Sequence, residues 1–156
     1  MRARRAALHG MAAMSLFTAT ILLQASPSNA FSQPSQSIQN RGNYMCMDLK
    51  SYAEHTAVTM YGCTDHLSAK WKWNSDGTIQ NVGGSLCMDL TSYDEFTPVT
   101  TYRCSDHPSA KWTYNADGTI QNRGSSMCMD LTTYDEHTPV TMYRCTNHVS
   151  ASWSRG

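Results

Sequence analysis

The chain has 156 residues, of which 15% are charged, and it contains as many acidic as basic side chains. All 12 acidic residues but only nine of the 12 Lys and Arg residues follow residue 30, so residues 31–156 carry a net charge of −3. A chain without clustered Lys and Arg does not suit a polyphosphate, and we exclude nucleic acid as its partner. At this length we expect one small domain.

The first thirty residues have the layout of a secretory signal peptide. Residues 2–5 carry three arginines, residues 11–23 are mostly apolar, and residues 28–30 form a small-residue cleavage site. The apolar run is shorter than the roughly 18 to 20 residues that a membrane-spanning helix needs, so we expect no membrane insertion. We predict cleavage after Ala30, a short polar linker over residues 31–36, and a secreted protein, either extracellular or periplasmic.

Three copies of one 41-residue segment follow the linker, in register and without a gap. The middle copy, residues 78–118, begins with Ile79-Gln80-Asn81, continues with a Cys-Met-Asp-Leu run at 87–90, and has a second Cys at 104 with a Trp eight residues later. The same pattern recurs in residues 37–77 and 119–156. We therefore expect three equivalent structural units.

All six cysteines lie in the repeats, two in each copy. An even number of cysteines after an export signal predicts disulfides. Six cysteines allow fifteen pairings, but the threefold repeat favours one bridge inside each copy. The predicted bridges are Cys46–Cys63, Cys87–Cys104 and Cys128–Cys145.

The spacing of Cys63 and His66 is similar to that of zinc ligands. A secreted chain would oxidise these thiols, and each repeat has only two Cys and one such His. We therefore predict neither a metal nor a cofactor.

No segment after Ala30 has a sustained helical period. Short runs rich in Val, Thr, Tyr, Met and Trp alternate with Asp-Gly turns, which predicts four short strands in each repeat and twelve in all. A propeller needs roughly four to eight blades, so three groups of four strands favour an all-β closed β-trefoil. In the first repeat we place the strands near Ile38 and at 46–49, 58–63 and 70–73. The predicted core consists of Ile38, Met47, Leu49, Val58, Met60, Trp71 and their equivalents at +41 and +82.

The disulfide suggests how the second and third strands of a repeat pair. If the bridge joins directly opposed residues of an antiparallel pair, Asp48 lies opposite Tyr61. Both side chains then point away from the core, on the face that carries the bridge. The other two repeats would present equivalent pairs, Asp89 with Tyr102 and Asp130 with Tyr143.

A carboxylate beside an aromatic ring suits a sugar. The ring offers an apolar face to the C–H side of a pyranose, and the carboxylate accepts hydrogen bonds from neighbouring hydroxyls. The alternative is that the Asp caps a turn and the Tyr only packs. The alternative gives no reason for the two residue types to recur together in all three copies.

With these features the chain resembles the ricin B-type β-trefoil lectins, a family that includes carbohydrate-binding modules of many bacterial glycosidases. The resemblance covers residues 37–153 and rests on the Cys-Met-Asp-Leu run, the Tyr-x-Cys run, the following Trp and the threefold repeat. It implies that the Asp binds sugar hydroxyls and the Tyr stacks on the sugar ring. The implied partner is a glycan or polysaccharide, galactose-like or xylan-like.

One signature of that family is altered in every copy. Its Gln-x-Trp motif, preceded by a sugar-binding Asn, is replaced by Ser-Ala-x-Trp at Ser68, Ser109 and Ser150. We expect another polar side chain to take over this part of each pocket. The predicted replacement is the His three residues after the second Cys of each repeat: His66, His107 and His148.

Two other functions compete with sugar binding. The Asp-Glu doublets at 94–95 and 135–136 provide paired carboxylates, but adjacent side chains point apart rather than flanking one bond, so we expect no enzymatic activity. A protein-binding trefoil, such as a secreted inhibitor or the receptor-binding subunit of a toxin or glycosidase, remains the alternative. A separate enzyme or toxin subunit would be its partner.

Overall fold

The computed structural model describes residues 34–156, and the predicted signal peptide lies outside this range. Within it, no helix has the length and apolar character needed to cross a membrane. Twelve strands form: β1 Ile38–Asn40, β2 Cys46–Leu49, β3 Val58–Tyr61, β4 Trp71–Trp73, β5 Ile79–Asn81, β6 Cys87–Leu90, β7 Val99–Tyr102, β8 Trp112–Tyr114, β9 Ile120–Asn122, β10 Cys128–Leu131, β11 Val140–Tyr143 and β12 Trp153–Arg155.

Local chemistry defines the turns between these strands. In the turn from β4 to β5, Asp76 Oδ1 accepts hydrogen bonds from the backbone N–H and hydroxyl of Thr78, at 3.0 and 2.8 Å. Gly77 follows with a φ of +90°, a conformation that costs glycine little. The Asn-x-Asp-Gly clusters thus end one strand and start the next, as predicted.

The strands form three four-stranded antiparallel sheets that are offset from the repeats by one strand. Their orders are β12-β1-β2-β3, β4-β5-β6-β7 and β8-β9-β10-β11. The last strand of each repeat therefore pairs with the first strand of the next, and β12 closes the ring by pairing with β1, where Asn40 faces Trp153. This arrangement confirms the predicted β-trefoil.

The core matches the prediction made from the repeats. Ile38 and Trp71 and their equivalents are buried, together with the inward-facing residues of the second and third strands. Each core Trp also satisfies its indole nitrogen: Trp112 Nε1 donates to the carbonyl oxygen of Met88 at 3.1 Å, and the other two repeats have the same bond. Thr101, which takes the place of Met60 and Met142 in the second repeat, is also buried, and its hydroxyl lies 3.4 Å from the Ala53 carbonyl oxygen.

All three predicted disulfides are confirmed. The predicted strand register, however, is wrong by two residues. Cys46 faces Tyr61, and Asp48 faces Thr59. The reason is that β3 ends at Tyr61, so Cys63 reaches its partner from beyond the end of the strand. Because side chains alternate, a shift of two residues leaves Asp48 and Tyr61 on the same face, as diagonal rather than direct neighbours.

Candidate functional site

The Asp predicted to bind ligand occupies the third position of the second strand in every repeat. In the first repeat, Asp48 Oδ1 accepts the backbone N–H of the next residue, Leu49, at 2.7 Å. Asp89 and Asp130 repeat this bond at 2.8 and 2.7 Å. Among residues 34–156 no group donates to Oδ2 of these carboxylates. Each Asp is thus held in place through its Oδ1 oxygen.

The Tyr predicted to stack on a ligand is the last residue of the third strand. Tyr61 keeps 38% of its surface exposed, and it lines an open cavity of about 150 Å³ together with Asp48, Lys50 and Thr59. In the third repeat, Asp130 and Tyr143 line a cavity of about 320 Å³. The structure therefore brings the predicted Asp and Tyr to one cavity in both repeats.

A ring from another repeat lies against each Tyr. The ring of His137 stacks on Tyr61 with centroids 5.2 Å apart and an interplanar angle of 12°. His55 stacks on Tyr102 at 4.9 Å and 23°, and Phe96 lies against Tyr143 at 5.2 Å and 30°. We call these groups the first-repeat site (Asp48, Tyr61, His137), the second-repeat site (Asp89, Tyr102, His55) and the third-repeat site (Asp130, Tyr143, Phe96).

The three rings are delivered by the loops that join the second and third strands, residues 50–57, 91–98 and 132–139, which we call straps. Each strap reaches across to the following repeat, and the last one reaches the first repeat. The backbone N–H of Phe96 donates to the carbonyl oxygen of Met142 at 2.7 Å. The backbone N–H of Met142 donates to the carbonyl oxygen of Thr97 at 3.0 Å. The other two straps make equivalent bonds. These backbone bonds hold the part of each strap that carries the ring against the neighbouring repeat.

Side chains add two more contacts between strap and neighbour. Arg144 Nε donates to Glu95 Oε1 at 2.6 Å, and this hydrogen bond raises the pKa of Arg144. Arg103 and Glu54 form the same pair beside the second-repeat site. The strap tyrosines also pack closely; the ring of Tyr93, for example, occupies the space that a side chain at Gly124 would need.

The first-repeat site departs from the other two. Gly62 stands where the other repeats have Arg103 and Arg144, so the strap residue Glu136 has no equivalent ion pair among the described residues. Lys50 lines this cavity, whereas Thr132 lines the cavity of the third-repeat site. The first- and third-repeat sites thus share a plan but differ in charge and size.

A second surface, beside the Asp-Gly turns, also varies between repeats. Lys111 Nζ lies 3.0 Å from Asp76 and 3.1 Å from Asp106. The backbone N–H of Thr78 is the main cause that lowers the pKa of Asp76 to about 2, with Lys111 contributing. In the third repeat Ser152 replaces this Lys and lines a cavity of about 240 Å³. Neither here nor elsewhere in residues 34–156 do three or more His, Cys, Asp or Glu side chains cluster as metal ligands would.

The sequence profile of the ricin-type beta-trefoil lectin domain matches residues 34–153. The chain belongs to this lectin domain family. Comparison with curated proteins gives no match.

Several solved structures have the same fold. The agglutinin from Abrus precatorius gives a TM-score of 0.73 at 22% identity, covering 85% of this chain and 51% of its own. The hemolytic lectin CEL-III gives a TM-score of 0.69 at 22% sequence identity. The match covers 78% of this chain and 30% of CEL-III. A third structure is a non-toxic homologue of type II RIPs from Momordica charantia (bitter gourd), solved with α-methyl-D-galactoside. It gives a TM-score of 0.71 at 20% sequence identity, and the match covers 80% of this chain and 48% of the homologue. The chain thus spans about half or less of these three proteins.

The predicted histidines lie at the altered signature of the family. His107 Nδ1 is 2.7 Å from the hydroxyl oxygen of Ser109, and His148 Nδ1 is 3.2 Å from that of Ser150. His66 precedes the equivalent short 3-10 helix, Leu67–Ala69, but its side chain makes no capping hydrogen bond to that helix. His148 lines the cavity beside Ser152 and not the cavity of the third-repeat site. The structure therefore does not bring His148 together with Asp130 and Tyr143.

The ring residues of the straps are the part of the sites that the sequence analysis did not identify. A signal was present, since His55, Phe96 and His137 recur at intervals of 41 residues and each carries a ring. Their role was hidden because each ring contacts a Tyr of a different repeat, and the separation along the chain gives no indication of that contact.

Proposed function

We propose that the protein is a secreted lectin that binds carbohydrate through up to three sites, one per repeat, without catalysing a reaction. The observation that carries this proposal is the threefold recurrence of a surface carboxylate and a Tyr on the same strand face, at an open cavity in the first and third repeats. A sugar hydroxyl would donate to the carboxylate oxygen Oδ2, and the C–H face of the sugar would lie on the Tyr ring.

Galactose-like sugars are the first ligands to test, because the bitter gourd homologue was solved with α-methyl-D-galactoside. Xylan-like polysaccharides are the second. Shallow sites of this kind bind single sugars weakly, so useful affinity would come from several sites acting on one multivalent glycan.

A glycan array with the purified protein tests the proposal. The test variant changes the three site carboxylates to amides: Asp48→Asn, Asp89→Asn and Asp130→Asn. Each Asn keeps an oxygen for the backbone N–H but replaces Oδ2 with a donor, so the fold is retained and the acceptor is lost. Loss of a charge-assisted hydrogen bond weakens binding by about 1.5 to 3 kcal/mol at each site, which is roughly 10- to 150-fold in Kd.

A matched control removes three exposed carboxylates outside the sites: Asp65→Asn, Asp106→Asn and Asp135→Asn. This control has the same net charge as the test variant, so it separates a local effect from a change in overall charge. We expect the control to keep the array signal and the test variant to lose it. Equal binding by the two variants would contradict the assigned sites. A folded parent that binds no glycan would favour the protein-binding alternative instead.

The proposed secretion has its own support and its own test. Three disulfides in residues 34–156 are typical of proteins that fold in an oxidising compartment. We expect the protein recovered outside the cytoplasm to begin at Phe31. N-terminal sequencing that finds an intact leader on the exported protein would refute the cleavage site. Co-purification of a separate enzyme or toxin subunit with this material would identify the proposed partner.

A further inference from the structure

We infer that the strap rings are ligand-contacting residues, so that each sugar site is built from two repeats, and that Phe96 makes the third-repeat site the tightest of the three. This inference rests on the proposed function and deepens it. It assigns part of each binding surface to a residue outside the repeat that supplies the Asp and the Tyr.

The first argument is position. Phe96 lines the same cavity as Asp130 and Tyr143, and His137 lines the same cavity as Asp48 and Tyr61. A sugar that donates a hydroxyl hydrogen bond to the Asp and stacks on the Tyr therefore meets the strap ring at the edge of the same cavity. Phe96 lies tilted against Tyr143 and keeps 56% of its surface exposed, so the exposed part of its ring adds apolar surface to that of the Tyr.

The second argument is backbone conformation. The three strap residues that bear these rings have positive backbone φ angles: +63° at His55, +66° at Phe96 and +66° at His137. This left-handed region is unfavourable for residues with a Cβ and is open to glycine. Phe96 nevertheless keeps 56% of its surface exposed, so its own burial offsets little of this cost. A ligand that covers the ring would account for an exposed phenyl group at a strained position.

The third argument is the difference between the sites. The third-repeat site has a phenyl ring, Thr132 and a cavity of about 320 Å³. The first-repeat site has an imidazole, Lys50 and a cavity of about 150 Å³. The larger cavity of the third-repeat site, with a phenyl ring in place of an imidazole, favours the C–H face of a sugar. In addition, the Glu95–Arg144 ion pair joins the strap of the third-repeat site to its neighbouring repeat. The first-repeat site lacks an equivalent ion pair among the described residues.

The test uses proteins that retain one site each. The third-site protein carries Asp48→Asn and Asp89→Asn, and the first-site protein carries Asp89→Asn and Asp130→Asn. Phe96→Gly is then introduced into both, and Kd is measured by titration calorimetry with the strongest glycan from the array. Phe96→Gly removes the ring and relieves the left-handed backbone, so a thermal melt should show little loss of stability.

We expect Phe96→Gly to raise Kd about tenfold in the third-site protein and to leave Kd unchanged in the first-site protein. In the first-site protein, His137→Phe should lower Kd. An unchanged Kd in the third-site protein, or an equal loss in both proteins, would overturn the inference while the proposed function stands. If the parent chain binds no glycan at all, the proposed function fails first and this inference fails with it.

Discussion

Removing one disulfide is expected to lower the free energy of unfolding by about 3 kcal/mol, and by nearly the same amount in each repeat. Each bridge joins cysteines with a sequence separation of 17. In the chain-entropy model, a closed loop of this length restricts the unfolded chain and so stabilises the folded one by that amount. Because the three loops are equal in length, the three losses should agree.

The structure indicates which substitutions isolate this effect. Cys87 is buried and its partner Cys104 is exposed, and the other two bridges have the same asymmetry. Cys87→Ala avoids placing a hydroxyl in the core, whereas Cys104→Ser leaves a polar group in water. The double variant thus removes the bridge without leaving a buried polar group unsatisfied.

Urea unfolding measures the effect. We expect a lower midpoint and a somewhat larger dependence of the free energy on urea, because an unlinked chain exposes more surface when unfolded. Removing all three bridges should cost about 9 kcal/mol, which is comparable to the whole free energy of unfolding of a typical domain, so that variant should be unfolded or nearly so. Losses below about 1 kcal/mol, or losses that differ widely between repeats, would refute the reasoning from loop length.

Three further predictions concern the core and the turns. Trp112→Phe should destabilise the protein by about 2 to 4 kcal/mol, since it leaves a cavity and deprives the Met88 carbonyl oxygen of its donor; a loss below about 1 kcal/mol in urea would contradict this. Gly77→Ala should cost about 1 kcal/mol or more, because φ there is +90°, and an unchanged thermal midpoint would count against it. Asp76 has a pKa lowered from 3.8 to about 2, mainly by the backbone N–H of Thr78, so its stabilisation is present above pH 4 and is lost as the pH falls towards 2. The stability difference between the parent and Asp76→Asn should therefore shrink over that range, and a constant difference would refute the assignment.

Much of the fold follows from periodicity along the chain. The 41-residue repeat identified the number of strands, the core residues and the pairing of the cysteines, because three equal copies must each solve the same folding problem. Even so, the predicted register between the second and third strands of each repeat is wrong by two residues. A disulfide restrains the distance between two Cα atoms but does not require them to be opposed in a ladder, and Cys63 lies beyond the end of β3.

The sequence by itself determined what each repeat contributes: Asp48 and Tyr61 on one face, with Met47 and Met60 on the other. Only the tertiary structure decided how the repeats complete one another. The last strap reaches back to the first repeat, and His137 meets Tyr61 although 76 residues separate them in the chain. Contacts of that kind arise from closure of the ring by β1 and β12, and local pattern carries no information about which surfaces closure brings together.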